Sequence, residues 1–189
     1  MIVKVADVVG RRLQGRMLGQ EHFAGLCTKV AGLAPGGIVS LCFSDVEVLT
    51  GSWLNAALVP FYGWSGTPQN DLYPVLCSLR KEWLDDLRLV AELSSACFLV
   101  TDTAEESPHR AVLIGRLEPT MVRTLDAVLK RGPSTGAELK RASRDDEIGA
   151  TAWNNRLKEL HARRLLRRER QGREQRYFAV VPEVAYDGR

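Results

Sequence analysis

The chain has 189 residues, with 26 Lys plus Arg against 23 Asp plus Glu and a formal charge of +3. An apolar share of 45 % and a charged share of 26 % are those of ordinary folded protein and exclude a disordered chain. Apolar runs such as Cys97 to Val100 and Ala111 to Ile114 fall far short of the roughly 18–20 residues of a membrane span. The N-terminal MIVKVADVVGRR carries no small-residue cleavage site, so a cytoplasmic protein with no membrane partner is expected.

In chain order, Ile2, Val3 and Val5 predict a short opening strand. From Gly15 to Leu33, Met17, Leu18, Phe23, Leu26, Cys27, Val30 and Leu33 recur at helical spacing, and Ala34-Pro-Gly-Gly stops the helix. Residues 37–43 read as a buried strand, Gly51 to Tyr62 as a helix, 63–71 as a loop and Leu72 to Cys77 as a strand. Lys81 to Leu93 is a strong amphipathic helix, followed by strands over 96–100 and 111–114 joined by a polar loop. The alternation predicts a mixed sheet with helices packed on it.

Beyond this point the pattern becomes helical. Glu118-Pro119 opens a helix whose stripe is Met121, Leu125, Val128 and Leu129. Thr135 to Ala142 is a short second helix, and the polar turn SRDDEIG follows. A third helix spans Ala150 to Arg163, with Trp153, Leu157 and Leu160 at i, i+4 and i+7 facing a core. Leu165 to Arg170 and Glu174 to Val181 then read as two strands joined by a Gln-Gly-Arg turn.

Dividing the charge at this change of pattern makes it informative. Residues 1–116 hold 10 basic and 12 acidic residues, a net of −2, whereas 117–189 hold 16 basic and 11 acidic, a net of +5. Such asymmetry points to a nucleic-acid or membrane partner for the basic half, with a solvated arginine-rich face as the plain alternative.

No catalytic pattern emerges. There is no G-x-x-x-x-G-K-[ST] loop and no G-x-S-x-G elbow, so no enzyme is expected. The acidic groups Asp85-Asp86 and Asp145-Asp146-Glu147 point apart on a helix or lie in a turn. Cys27, Cys42, Cys77 and Cys97 form no C-x-x-C pair and read as small buried hydrophobes. The three histidines lie far apart, so neither a metal nor another cofactor is expected.

Two resemblances follow. The run IVSLCFSDVEVLTGSWLNAAL (38–58) resembles the STAS domain and its STAS-like relatives, which include the anti-sigma-factor antagonists. Leu41-Cys42-Phe43 matches the motif strand, Val48-Leu49 the two apolar residues, and Thr50-Gly51-Ser52-Trp53-Leu54 the motif itself. The resemblance places Ser52 where antagonists carry a phosphorylated hydroxyl, and it implies a GHKL-type kinase or ATPase as protein partner. Thr50 stands where the motif has Asp, and Trp53 where it has Gly. Independently of the family, a hydroxyl at a helix start caps the helix or, if phosphorylated, is stabilised there.

The run GATAWNNRLKELHARRLLRRERQGREQRYF resembles the winged helix-turn-helix. On that reading the chain is an α/β STAS-like domain (1–116) followed by an α+β winged helix-turn-helix domain (117–189). The recognition helix offers Thr151, Asn154, Asn155 and Lys158 to base edges, since Asn pairs with adenine and basic side chains with guanine or phosphate. Arg156 faces either phosphate or the first helix. Arg167, Arg168, Arg170, Arg173 and Arg176 lie on or beside the wing, near phosphates or the minor groove. The leading expectation is therefore a regulator that holds double-stranded DNA and receives a signal through its N-terminal domain. The alternatives are a protein-interaction subunit of an assembly, such as a phage-defence or stress complex, and a phospho-switched antagonist. A homodimer is a further expectation, because winged-helix regulators often bind two half-sites, with Phe61, Trp64 and Leu72 as its contact.

Overall fold

A computed structural model describes residues 1–143, 149–172 and 174–188. From the N-terminus, β1 (Ile2–Lys4), α1 (Val5–Val9), β2 (Arg12–Leu13) and α2 (Arg16–Val30) lead to β3 (Ile38–Cys42) and β4 (Val48–Leu49). A helix then runs through α3 (Gly51–Trp53), a π-turn (Leu54–Leu58) and α4 (Val59–Ser65). β5 (Tyr73–Cys77), a 3-10 turn (Lys81–Trp83), α5 (Leu84–Ser94), β6 (Phe98–Thr101) and β7 (Arg110–Ile114) follow. The chain continues as α6 (Pro119–Arg131), α7 (Gly136–Ala142) and α8 (Ala150–Ala162), then a hairpin of β8 (Leu166–Gln171) and β9 (Glu174–Ala179), and ends in β10 (Glu183–Tyr186).

The six strands of the central sheet lie in the order β1-β3-β5-β6-β7-β10. The first four are mutually parallel, β7 runs antiparallel to β6, and β10 runs parallel to β7. This is the mixed α/β sheet expected from the alternation of strands and helices. β5 at the centre is buried at every position, as a parallel strand covered on both faces must be.

The two faces carry two cores. Val39, Leu41, Leu76 and Phe98 turn toward α2, α4 and α5, where Trp53, Leu58, Phe61 and Leu87 join them. Tyr73, Val75, Leu99 and Leu113 turn the other way and pack with Met121, Leu125, Leu157 and Leu160 from the last three helices. The period-2 alternation of a strand is what allows one sheet to serve both layers.

Local chemistry explains the less regular elements. Pro60 has no N–H for the Ala56 carbonyl, and its ring would press on the preceding turn. The helix widens there instead, with the Val59 N–H donating to the Leu54 carbonyl five residues back. Where α2 crosses this helix, a β-carbon at Gly19 would lie 2.8 Å from that of Ala56, so only glycine permits the approach.

Three expectations are corrected. Residues 183–186, assigned with the basic C-terminal domain, form a strand in the sheet of the N-terminal half, paired with β7. The helix expected to end at Tyr62 continues to Ser65, shortening the following loop. Phe61 and Leu72 are buried in the first core and Trp64 packs against it, stacked on Phe61 at 5.8 Å, so the apolar contact expected for a homodimer is used internally.

Candidate nucleic-acid interface

The last three helices place their exposed side chains through a small core. Met121, Val122, Leu125 and Val128 of α6 meet Leu139 of α7 and Trp153, Leu157 and Leu160 of α8. This buries the stripe that the i, i+4, i+7 spacing of α8 predicts. A capping box begins α7: Thr135 Oγ1 accepts the Glu138 N–H at 3.2 Å, and a Glu138 carboxylate oxygen accepts the Thr135 N–H at 2.8 Å. α8 crosses this start so closely that a β-carbon at Gly136 would collide with the Asn154 amide.

On α8, Thr151, Asn154, Asn155 and Lys158 are all exposed on the side away from the buried stripe, where sequence spacing puts them. Arg156 stacks on its own helix, which is neither of its two expected placements. It is half-buried, with its guanidinium 5.5 Å from the centre of the Trp153 ring, turned back along its own helix.

The hairpin separates the arginines by strand parity. Arg168 pairs with Tyr177 and Arg170 with Gln175, while Arg167 pairs with Phe178 and Glu169 with Arg176 on the opposite face. Arg168 and Arg170 are exposed, and Arg170 Nε donates to the Gly172 carbonyl at 3.1 Å in the hairpin turn. Arg176 is half-buried and ion-paired with Glu138 of the capping box. The Thr135 N–H, and then Arg176, hold the Glu138 carboxyl below its usual value. Arg167 is half-buried, with no hydrogen-bond partner for its Nε. Arg173, and the acidic run Asp145-Asp146-Glu147, lie outside the described residues.

Helix and hairpin share a groove of about 290 Å³, lined by Asn154 and Lys158 of α8, Glu174, Gln175 and Tyr177 of β9, and Thr135. It brings the amide and ammonium of α8 beside the hairpin face that carries Arg168 and Arg170. The segment between α6 and α7 adds a third edge to the hairpin. The Ser134 and Tyr177 backbones exchange both N–H bonds, each at 3.0 Å.

The base of this unit is anchored to the sheet by a buried polar cluster. Arg164, one residue past the cap of α8, adopts a left-handed φ of 61° and is 3 % exposed. Its Nη1 donates to Asp71 Oδ1 at 2.9 Å, and its guanidinium lies over the Tyr73 ring at 4.9 Å. Tyr73 donates its hydroxyl to the same Asp71 oxygen at 3.0 Å. His161 Nδ1 sits 3.0 Å from the Tyr73 hydroxyl and 3.1 Å from the Leu166 carbonyl, while Nε2 lies 3.5 Å from Arg164 Nη2. This pattern assigns the ring proton to Nδ1 and leaves Nε2 as acceptor for Arg164. Burial, then the Arg164 charge, lowers the His161 pKa.

Ser52 occupies a different kind of helix start. It is exposed in the first turn of α3, with its hydroxyl 3.1 Å from that of Thr50. Thr50 is the N-cap, accepting the Trp53 N–H at 3.4 Å. The free Gly51 N–H donates at 2.9 Å to the Asp86 carboxylate, so an anion from within the chain already lies on the positive end of the helix. Trp53 turns inward and donates its Nε1–H to His22 Nδ1 at 3.0 Å.

Sequence reasoning passed over Glu138, Asp71, Arg164 and His161. The Thr-x-x-Glu spacing of a capping box signals Glu138, whereas nothing local signals the pairing of Asp71 with Arg164. No protein-family model, characterised protein or solved structure matches this chain. No helix among the described residues is long and apolar enough to cross a membrane.

Proposed function

We propose that residues 117–182 form a winged helix-turn-helix that holds double-stranded DNA, and that the STAS-like N-terminal half receives a signal or protein partner. The observation that carries this reading is the shared groove, where Asn154 and Lys158 of α8 open beside the hairpin face of Arg168 and Arg170. A recognition helix with polar side chains at base-edge positions and flanking cations on a hairpin is what groove binding requires. The third hairpin edge at Ser134 supports the same reading, because it ties the hairpin to the turn before α7.

The roles divide by position. Thr151, Asn154 and Asn155 read base edges, Asn154 from a position close against Gly136 at the start of α7. Lys158, Arg168 and Arg170 contact phosphates. Arg176 and Arg156 hold the scaffold through Glu138 and Trp153. Titration of a fluorescent random duplex tests the reading: retention that weakens steeply with salt supports it, and no retention at low salt favours a protein-interaction module.

A further inference from the structure

Two thiols at the carboxyl ends of the central parallel strands take no part in this reading. β3 ends at Cys42 and β5 at Cys77, and the two residues are paired in register in the parallel ladder. Paired positions on neighbouring strands send their side chains to the same face. Neighbouring strands lie about 4.7–4.9 Å apart, within the roughly 4.4–6.8 Å of Cα separation that a disulfide spans. Cys27 on α2 and Cys97 before β6 have no cysteine opposite them in any ladder.

The two thiols stand in different surroundings. The Cys42 sulfur lies 3.3 Å from Ser44 Oγ and 3.8 Å from Ser78 Oγ. Ser78 adopts a left-handed φ of 58°, a conformation that disfavours residues with a β-carbon. That turn sets its hydroxyl between Cys42 and the Asp102 carbonyl, to which it donates at 3.3 Å. Backbone strain held against a sulfur is the kind of feature found at reactive positions.

Burial pushes the Cys42 thiol up, but its hydrogen bonds with Ser44, Ser78 and Cys77 outweigh this and lower its pKa. Burial alone pushes Cys27 up to about 11 and, as the leading cause, pushes Cys77 up to about 12. Burial likewise raises Cys97. Cys42 is therefore the sulfur that ionises most readily, with a protonated thiol beside it.

We propose that Cys42 and Cys77 form a redox-active dithiol that reduces a small hydroperoxide, with Cys42 as the attacking thiol and Cys77 as the resolving one. In the first step the Cys42 thiolate attacks one oxygen of hydrogen peroxide and the O–O bond breaks. Hydroxide leaves, takes a proton from solvent, and Cys42 becomes a sulfenic acid. In the second step the Cys77 sulfur attacks the Cys42 sulfur and the S–O bond breaks. The departing hydroxide takes the Cys77 proton as water, leaving a disulfide. Two thiols are oxidised and one peroxide is reduced to two waters. Cys42 is only 5 % exposed, which suits an oxidant of this size and not a bulky disulfide such as oxidised glutathione.

The test treats the full chain with graded hydrogen peroxide, alkylates it in denaturant and digests it with chymotrypsin. Trypsin would leave both cysteines in one peptide, since no Lys or Arg lies between Lys29 and Arg80. The expected product is a Cys42–Cys77 crosslink that dithiothreitol reverses, with Cys27 and Cys97 alkylated. In Cys77→Ser, dimedone added together with the denaturant should label Cys42 as a trapped sulfenic acid. A crosslink through Cys27 or Cys97, or four alkylated cysteines at every peroxide dose in the folded wild-type chain, overturns the proposal. The wild-type arm decides even where a substituted chain fails to fold.

Discussion

The two faces of the central sheet are covered in different ways. On one, α2, α4 and α5 come from the connections between the strands, and they seal it with Leu, Val, Phe and Trp side chains. On the other, the basic helical unit packs through a second apolar core and adds the buried cluster of Asp71, Tyr73, His161 and Arg164. The contrast shows that the basic unit is built onto the sheet, with the end of α8 locked to Asp71 and Tyr73 at the start of β5. An event that shifts Asp71 or Tyr73 therefore bears directly on the helix proposed to read DNA. The following perturbations separate the two faces.

The largest effect is expected at Arg164. Arg164→Ala removes the cation from a buried pair and strands the Asp71 carboxylate, at a cost of about 3 kcal/mol. Urea unfolding followed by tryptophan fluorescence measures it, and a loss under ~1 kcal/mol would mean the cluster does not anchor the unit.

Next come substitutions on the exposed face of α8. Asn155→Ala should weaken specific DNA binding by about 1–3 kcal/mol, while Arg168→Ala with Arg170→Ala should weaken binding to all sequences and flatten the salt slope by about 2. Arg176→Ala, whose guanidinium is committed to Glu138, should leave the salt slope nearly unchanged. Anisotropy titrations on the same duplex compare the three.

On the opposite face, Thr50→Ala removes the N-cap of α3 and should cost about 1 kcal/mol in urea unfolding with DNA affinity unchanged. A parallel loss of affinity would show that the two faces are coupled more tightly than their packing suggests.

The smallest effect is in pH. His161 is lowered from its ordinary value of 6.5 by burial, then by Arg164. The unfolded chain therefore takes up the proton first as pH falls, so the stability due to neutral His161 is present above about pH 6.5 and is lost below it. His22, lowered by burial against the opposing charge of Glu21, acts in the same direction. The urea midpoint should fall between pH 7.5 and 5.5, and His161→Gln should reduce that fall.

Much of this was legible in the sequence because it is written locally. The stripe of α8 and the exposed places of Asn154, Asn155 and Lys158 follow from period, and the strands around Val39 and Val75 from short β-forming apolar runs. What was hidden depends on residues far apart. Asp71 meets Arg164 across 93 positions. β10 is only four residues long, and its pairing with β7 comes from chain return and not from composition. Charge alone ranked the hairpin arginines equally. Strand parity and the Glu138 carboxylate then sorted Arg176 and Arg167 away from Arg168 and Arg170.

The central claim is that the groove between α8 and the hairpin holds duplex DNA. Anisotropy of a labelled duplex across a salt series tests it most directly. With Lys158, Arg168 and Arg170 on phosphates, the logarithm of the binding constant should fall linearly with the logarithm of salt, with a slope of roughly −2 to −3. A slope near zero, or no binding at low salt, would contradict the account.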